Sequence, residues 1–541
     1  MIVSVIVGGA PTPSTAVGSR VIDATPGAVK DWAVNHLGTN DKPFLLAGIF
    51  SAIAVLAALT GIVAWRSQRL ALALTAALGL VGLAAAYADR TTLVGSLAKI
   101  APAVVALAVS VGFLYVFTRR WNDAESAARE GGDESADLVA VGTASTARSA
   151  VATRRGAAST TLAEPEFRRT PTARPKASSR VENSAPAGFD RRAFIAAALA
   201  SGAVAAVGLG SARVFGNAGA RSRSDIALPK AADAAPALTG VMTLDGVKGL
   251  TPYITPNSDF YRVDTALSVP QIDAGNWSMK IHGLVDHEIE LSFADLVSMP
   301  LIERRVTLAC VSNEVGGHYA GNALWLGVKV SDLLGRAGVQ SGADAVKSTS
   351  VDGMTVGTPL QALTDDREAM IAIGMNGDPL PLAHGFPARM VVPGLYGYVS
   401  ATKWLVDLEV TRFADFSAYW TSRGFSAQAP IKTFSRIDVP ASFASLKPGK
   451  NAVAGVAWAQ NTGIEKVEVR IDGGSWQPAR LPREDSIDSW RQWVYEWDAD
   501  SGSHLLEVRA TDHSGYTQTS RRVAPRPDGA TGWHSVNVTV A

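Results

Sequence analysis

The stretch TLACVSNEVGG, residues 307–317, contains Cys310, the only cysteine among the 541 residues of the chain. A single cysteine excludes an intramolecular disulfide and the paired spacings of zinc ribbons, iron–sulfur clusters and C-x-x-C-H haem attachment. The residues alone leave three roles open for this thiol: a small buried hydrophobe, a nucleophile paired with a distant histidine, or a thiolate ligand to a soft metal. Outside the cytoplasm a free thiol is a liability, so we expect Cys310 to be buried or bound.

The elements that must position Cys310 belong to an α+β domain. Over residues 241–415, strand-like runs such as WSMKIHGLV, ARMVVPGL and KWLVDLEV mix with helix-like pieces such as SFADLVSMP and VSDLLGRAG. Gly and Pro separate these pieces, which is typical of a mixed domain. Cys310 ends the predicted strand RRVTLAC and precedes a glycine-containing loop.

After about Asp438 the pattern becomes all-β. In IEKVEVRIDGGSW, Val467, Val469 and Ile471 alternate with charged residues up to an Asp-Gly-Gly turn, which predicts a hairpin. SHLLEVRATDHSG and WHSVNVTV repeat the strand pattern at the spacing of a sandwich. We expect an all-β domain over residues 430–541 that serves packing or dimerisation rather than chemistry.

Three apolar stretches, at about 43–65, 70–88 and 100–117, lie near the N-terminus. Each is long enough to cross a hydrocarbon core about 30 Å thick, so residues 1–118 are predicted to form a membrane domain with three transmembrane helices. Arginines in the turn RSQR (66–69) and in the segment after residue 117 place both on the cytoplasmic side, with the N-terminus outside. The opening MIVSVIVGGA is apolar but too short to span.

The next two segments connect the membrane domain to the α+β domain. Residues 119–189 are poor in large apolar residues, which predicts a disordered cytoplasmic linker; a nucleic-acid-binding tail is the alternative, weakened by interspersed Asp and Glu. Arg191 and Arg192 precede an Ala/Gly-rich run over 190–212, typical of a twin-arginine signal or of a fourth transmembrane helix. Both interpretations place the remainder of the chain outside the cytoplasm.

Length and charge limit the classes of function. The 541 residues suffice for three or four structural units, and the formal net charge is +1. A chain without an overall basic field does not attract nucleic acid. We therefore expect no nucleic-acid partner.

Motifs from about residue 241 to the end resemble, in order and spacing, the sulfite oxidase family. VTLACVSNEVGG, WLGVKVSDLL, VDGMTVGTPLQAL and AHGFPARMVVPGLYGYVSATKWLVDLEV resemble its molybdopterin-binding domain. VAWAQNTGIEKVEVRIDGGSW, WRQWVYEW and GSHLLEVRATDHSG resemble the immunoglobulin-like dimerisation domain that follows it. The resemblance implies Mo-molybdopterin as the cofactor and Cys310 as the protein's thiolate ligand to molybdenum.

The resemblance also implies a set of cofactor-binding residues. Arg389 and Lys403 would hold the phosphate end, because a buried phosphate needs donors and positive charge. His384 would bind the pterin, although a structural histidine in a Pro-rich turn is the alternative. The other implied contacts are Asn257, Tyr261, Arg262, Asp352, Ser400, Ala401 and Thr402.

Departures from the family concern the substrate. Where sulfite oxidases have an arginine in the early loop, this chain has Asp264. Their two arginines after the cysteine are absent from SNEVGG, and their active-site tyrosine is replaced by Met354. Sulfite is an anion whose site needs guanidinium groups, so Asp264 and Glu314 argue against it. Glu314 and His318 are candidate proton-transfer groups beside the metal, although a solvated glutamate and a surface histidine explain them equally well.

These observations predict a multi-domain oxidoreductase, multi-pass in the cell membrane, with an extracytoplasmic catalytic domain. We expect two-electron oxygen-atom transfer on a small neutral or cationic molecule such as a sulfoxide or N-oxide. The expected partners are a haem protein or the quinone pool, membrane lipid, and a second copy bound through the C-terminal domain. A sulfite dehydrogenase with an altered anion site and a non-catalytic binding protein of the same fold are the alternatives.

Overall fold

The computed structural model describes residues 12–26, 29, 32, 36, 41–89, 96–148, 218–244 and 246–541. The candidate signal or fourth helix over 190–212 and residues 149–189 of the predicted linker lie outside the described residues. The described residues divide into two compact units. One unit contains those within Met1–Ile49, Gly82–Ala103 and Gly210–Ala541, and the other those within Phe50–Val81 and Val104–Leu209.

The N-terminal part is helical: α1 Pro13–Ala24, α2 Asp41–Arg66, α3 Gln68–Tyr87 and α4 Ser96–Arg148. Within the described residues, three helical segments, 42–66, 68–87 and 97–123, are long and apolar enough to cross a membrane. Their surfaces expose large apolar side chains such as Phe44, Ile53 and Phe113, which is favourable in lipid and unfavourable in water. The three predicted apolar helices are therefore confirmed as helices.

Helix α4 continues to Arg148, well into the segment predicted to be a disordered linker. The sequence RRWNDAESAARE after residue 118 is rich in Ala, Glu and Arg, which have high helix propensity. A helix already formed by the apolar segment extends at low cost, because nucleation is the unfavourable step. The expectation of disorder is therefore wrong for residues 119–148 and stays a prediction for residues 149–189.

The α+β domain contains helices α5 Ala218–Ser224, α6 Phe293–Ser298, α7 Val330–Ala337 and α8 Gln361–Thr364. Its strands are β1 Ser278–Gly283, β2 Ile289–Ser292, β3 Ile302–Ala309, β4 Ala320–Lys329, β5 Ala345–Ser350, β6 Thr355–Pro359, β7 Met370–Met375, β8 Asp378–Pro379, β9 Arg389–Val391 and β10 Leu405–Thr411. The elements predicted from WSMKIHGLV, ARMVVPGL, KWLVDLEV, SFADLVSMP and VSDLLGRAG are confirmed as β1, β9, β10, α6 and α7.

Two sheets organise this domain. One has the order β2-β1-β10-β5-β6, with β1 parallel to β10, and the other has the order β3-β4-β7-β8, with β9 beside β7. Every residue of β7 is buried, as expected of a strand covered on both faces. Strand β3 is buried over its last five residues, so the chain reaches Cys310 inside the domain.

The C-terminal domain contains β11 Phe434–Val439, β12 Ser445–Leu446, β13 Gly449–Trp458, β14 Ile464–Ile471, β15 Gln477–Pro478, β16 Arg491–Ala499, β17 Gly502–Asp512 and β18 His534–Val540. They form a three-stranded sheet, β11-β13-β16, and a five-stranded sheet, β12-β18-β17-β14-β15. Asp472 and Gly473 have φ values of 51° and 71° at the end of β14, and β14 pairs with β15. The predicted hairpin is confirmed.

The α+β and C-terminal domains share buried contacts. The Arg305 guanidinium donates two hydrogen bonds to the Asp485 carboxylate, at 2.5 and 2.8 Å. The Trp490 indole donates to the Tyr253 carbonyl at 2.8 Å, and the side chain of Trp490 is 1% exposed. These contacts lie in one hydrophobic core that runs from the α+β domain into β13 and Trp490, so the two domains support each other.

Candidate active site

Cys310 follows β3 directly and is fixed by a short loop. Its N–H donates to the Tyr319 carbonyl at 2.9 Å, which extends the β3–β4 ladder by one residue. The Asn313 N–H donates to the Cys310 carbonyl at 3.0 Å, and the Asn313 Oδ1 accepts from the Tyr319 N–H at 2.8 Å. The loop thus closes on itself and leaves the cysteine only 8% exposed.

The surroundings of Cys310 do not stabilise a free thiolate. Burial raises the pKa of the Cys310 thiol, and hydrogen bonds with Ser312 offset this only in part. Burial also raises the pKa of the Tyr261 and Tyr396 hydroxyls, and the nearby thiolate raises both further. Both hydroxyls therefore stay neutral. A buried thiolate in these surroundings requires a cation such as a metal ion.

Arg389, at the start of β9, is a buried cation that forms no ion pair with the described residues. Its guanidinium donates to the carbonyl of His384 at 3.0 Å and lies 5.0 Å from the centre of the Trp325 ring. Burial lowers its pKa to about 10. By contrast, the buried Arg305 has a raised pKa because it hydrogen-bonds to Asp485. Within the described residues, Arg389 is thus a buried cation that no carboxylate neutralises.

His384 contacts the early loop of the α+β domain. Its Nε2 lies 3.0 Å from the carbonyl oxygen of Asn257, so Nε2 carries the proton and donates. Burial, and next the Arg389 guanidinium, lower the pKa of His384 to about 4. Neutral His384 therefore presents an unprotonated Nδ1. The Asn257 side chain itself bonds to the Asn376 amide and the Met375 carbonyl.

Lys403, Arg262 and Lys42 form an ion cluster around Asp264, whose side chain is 2% exposed. The Lys403 Nζ and the Arg262 Nε lie 2.7 and 2.8 Å from the Asp264 Oδ2, and the Lys42 Nζ bonds to the Oδ1. Burial alone would raise the pKa of Asp264, but Lys403 and Lys42 hold it below its usual value. Burial lowers the pKa of Lys403 to about 8.

The remaining predicted cofactor contacts lie along the segment before β10 and the turn after β5. Thr402 is buried and its hydroxyl lies 2.6 Å from that of Ser348, while the buried Ser400 donates to the Leu395 and Tyr396 carbonyls. Ala401 is half-buried between them. Asp352 accepts from the Thr265 hydroxyl at 2.8 Å, next to the Asp264 cluster.

Glu314 and His318 lie on the exposed side of the Cys310 loop. Partial burial, followed by the Arg436 guanidinium, lowers the pKa of His318, and Asp438 opposes this. The Arg436 Nη1 also donates to the Gly317 carbonyl at 2.8 Å. His318 thus faces the C-terminal domain, whereas the other predicted site residues from Asn257 to Lys403 lie around Cys310, Arg389 and Asp264.

Comparisons with known proteins identify the same region. Residues 266–420 match the oxidoreductase molybdopterin binding domain. The mitochondrial sulfite oxidase of Homo sapiens is 29% identical over 344 residues, 53% of this chain and 62% of that protein. The sulfite oxidase of Arabidopsis thaliana is 28% identical over 339 residues, 53% of this chain and 84% of that protein. The uncharacterized oxidoreductase YuiH of Bacillus subtilis is 33% identical over 153 residues, 28% of this chain and 74% of that protein. The chain belongs to the sulfite oxidase family.

As a member of the sulfite oxidase family, the chain has Mo-molybdopterin as its cofactor. The residues present fit this group, because a buried thiol suits a soft metal and the buried cation Arg389 suits a phosphate. The hydroxyl of Ser350 is buried without a hydrogen-bond partner, at the strand end that pairs with Leu405. The chain spans 62% of the length of the human and macaque sulfite oxidases it matches.

Sequence reasoning missed Lys42 and Ser350. Lys42 is 222 residues from Asp264 and lies at the start of an apolar helix, where a lysine is typical of any membrane boundary. Ser350 ends a strand whose last three residues are Ser, Thr and Ser, so the sequence does not single out one hydroxyl as unsatisfied.

Proposed function

We propose that the chain is a membrane-anchored molybdenum oxidoreductase that carries out a two-electron reaction, oxygen-atom transfer to or from a small neutral or cationic molecule. The observation that carries this proposal is the combination of a buried thiol, Cys310, with a buried cation without an anion, Arg389. The bound cofactor would supply a molybdenum centre that exchanges two electrons. Cys310 would be its protein ligand.

The other residues would bind and orient the cofactor. Arg389 and Lys403 would contact its phosphate end, and the unprotonated Nδ1 of His384 would accept a hydrogen bond from the pterin. Asn257, Tyr261, Arg262, Asp352 and the segment Ser400–Lys403 would complete the cofactor site. The Tyr261 hydroxyl keeps its proton near Cys310, so it would donate a hydrogen bond to an oxygen of the substrate.

The charges near the site favour a substrate other than sulfite. Asp264 and the cofactor's phosphate would together offset most of the positive charge of Lys42, Arg262, Lys403 and Arg389. Little positive charge would remain to attract an anionic substrate. A sulfoxide or an N-oxide has a polar oxygen but no net negative charge, so it needs hydrogen-bond donors rather than guanidinium groups.

A turnover assay tests the proposal. The purified full-length protein should contain molybdenum and should oxidise a reduced viologen dye when a sulfoxide or N-oxide is added. A protein without molybdenum, or one whose molybdenum is inert to dithionite, would support the non-catalytic alternative. Rapid reduction of an artificial acceptor by sulfite would support the sulfite dehydrogenase alternative. Glu314→Gln and His318→Gln variants, compared over a pH range, test whether either residue transfers protons.

The proposed topology places the α+β domain, residues 241–415, on the outer face of the cell membrane. Residues 41–49 and 82–103 belong to the same compact unit as the α+β domain, whereas the arginine-rich turn 66–69 belongs to the other unit. A Ser341→Cys variant should react with a membrane-impermeant maleimide in intact cells, whereas Ser67→Cys should not. The reverse pattern would refute the topology. The twin-arginine signal over 190–212 is part of this proposal.

We propose that residues 430–541 form an immunoglobulin-like domain that mediates a homodimer. On the five-stranded sheet, the Arg470 guanidinium of β14 lies 4.8 Å from the centre of the Trp476 ring and 4.9 Å from that of Trp533. Trp and Arg are enriched at protein interfaces. Light scattering of the detergent-solubilised protein should give a dimer, and a monomer for Trp476→Ala. A haem protein or the quinone pool would exchange electrons with the enzyme.

A further inference from the structure

Lys42 connects the first membrane helix to the cofactor region. It lies in the first turn of α2 and its Nζ donates to the carbonyl oxygens of Asp264 and Ala266, at 2.9 and 2.8 Å, and to the Asp264 carboxylate. Three acceptors of one short loop thus surround one ammonium group. The Lys42 side chain is 21% exposed, so solvent screens these contacts only in part.

Two further contacts bind the N-terminal segment to the same face of the α+β domain. Gly18 of α1 packs against Leu267, because a Cβ at Gly18 would lie 2.8 Å from the Leu267 Cδ1. Asp23, near the end of α1, lies 3.4 Å from the Arg423 guanidinium. The contact of Lys42 therefore belongs to a larger contact surface that includes residues 264–267 and 423.

The charges of the Asp264 cluster leave a positive excess. Lys42, Arg262 and Lys403 are three cations around one carboxylate, so the net charge is +2. A phosphate monoester carries a charge of about −1.5 to −2 at neutral pH. The cluster with Lys42 therefore has a charge of the same magnitude as that of a phosphate, whereas without Lys42 the cluster contributes only +1 beside the charge of Arg389.

We propose that Lys42 is part of the cofactor site, where it positions the loop of Asp264 and supplies positive charge for the phosphate end, so that cofactor retention depends on the membrane segment. The proposal rests on the cofactor assignment and not on turnover. An outer domain released from its membrane helices would bind the cofactor more weakly than the full-length chain.

The test uses full-length protein in detergent, produced in a host that makes no pterin, with inorganic phosphate as the probe. Phosphate binding is measured by the shift in melting temperature at constant ionic strength. Lys42→Met should raise the phosphate dissociation constant about tenfold, and Lys42→Arg should leave it within about twofold of the wild type. Lys99→Met is the matched control, because Lys99 also lies at a helix end but bonds to the Asp89 carbonyl.

A double variant separates charge from folding. Lys42→Met combined with Asp264→Asn restores the net charge of +2 that the wild-type cluster has, so phosphate affinity should return to within about threefold of the wild type. Unchanged affinity in Lys42→Met, or no recovery in the double variant, would overturn the proposal. In a host that makes the cofactor, Lys42→Met should also retain less molybdenum after dialysis than Lys99→Met. Neither phosphate affinity nor molybdenum retention depends on turnover, so a failure of this proposal can be distinguished from a failure of the proposed function.

Discussion

Replacing Arg389 by methionine should stabilise the cofactor-free protein, although the residue is buried. A pKa of about 10 instead of 12.5 corresponds to about 3 kcal/mol of unfavourable free energy for the buried guanidinium. The variant loses one hydrogen bond to the His384 carbonyl, worth about 1 kcal/mol, and a cation–π contact with Trp325 worth about 0.5–1 kcal/mol. The net expectation is a gain of about 1 kcal/mol in the free energy of unfolding.

Arg305→Met is the matched control. Arg305 is also buried, at 7% exposed, but it hydrogen-bonds to Asp485. Its removal leaves a buried carboxylate unpaired and should cost about 3–5 kcal/mol. Urea denaturation of cofactor-free protein, followed by tryptophan fluorescence, gives both values. A loss of more than about 1 kcal/mol in Arg389→Met would contradict the reasoning, because it would mean that the chain itself compensates this charge.

Two further predictions concern His384 and Asp264. The pKa of folded His384 is about 4, below the value of about 6.5 in the unfolded chain, so the unfolded state takes up the proton first as the pH falls. The free energy of unfolding of the cofactor-free protein should therefore be constant above pH ~6.5 and fall by up to about 3 kcal/mol towards pH ~4, and urea denaturation of His384→Gln should show a smaller fall. Asp264→Asn should lower the stability of the cofactor-free protein by about 3–5 kcal/mol, because three cations would lose their carboxylate. A melting temperature equal to that of the wild type would refute the latter expectation.

Local patterns in the sequence predicted much of the fold. The alternation of Val467, Val469 and Ile471 before Asp-Gly-Gly predicted β14 and its turn, because burial of one face of a strand requires that alternation. The pattern RRVTLAC likewise predicted, from neighbouring residues alone, that Cys310 follows a strand. Residues 119–148 are helical although they are poor in large apolar residues, because Ala, Glu and Arg have high helix propensity.

Local patterns did not predict the contacts between residues that are far apart in the sequence. Asp264 was interpreted as a group that repels an anionic substrate, but the structure surrounds it with Lys42, Arg262 and Lys403. The position of His318 beside Arg436 depends on how the C-terminal domain packs on the Cys310 loop. Such contacts are set by the tertiary fold, so neither composition nor periodicity predicts them.

The most direct test of the central claim is X-ray absorption at the molybdenum edge of the purified full-length protein and its Cys310→Ser variant. The wild type should contain molybdenum bound by sulfur, and the variant should keep its fold and show one sulfur ligand fewer at the metal. A variant with the same sulfur coordination as the wild type would contradict the assignment of Cys310, and a correctly folded wild-type protein without molybdenum would contradict the account as a whole.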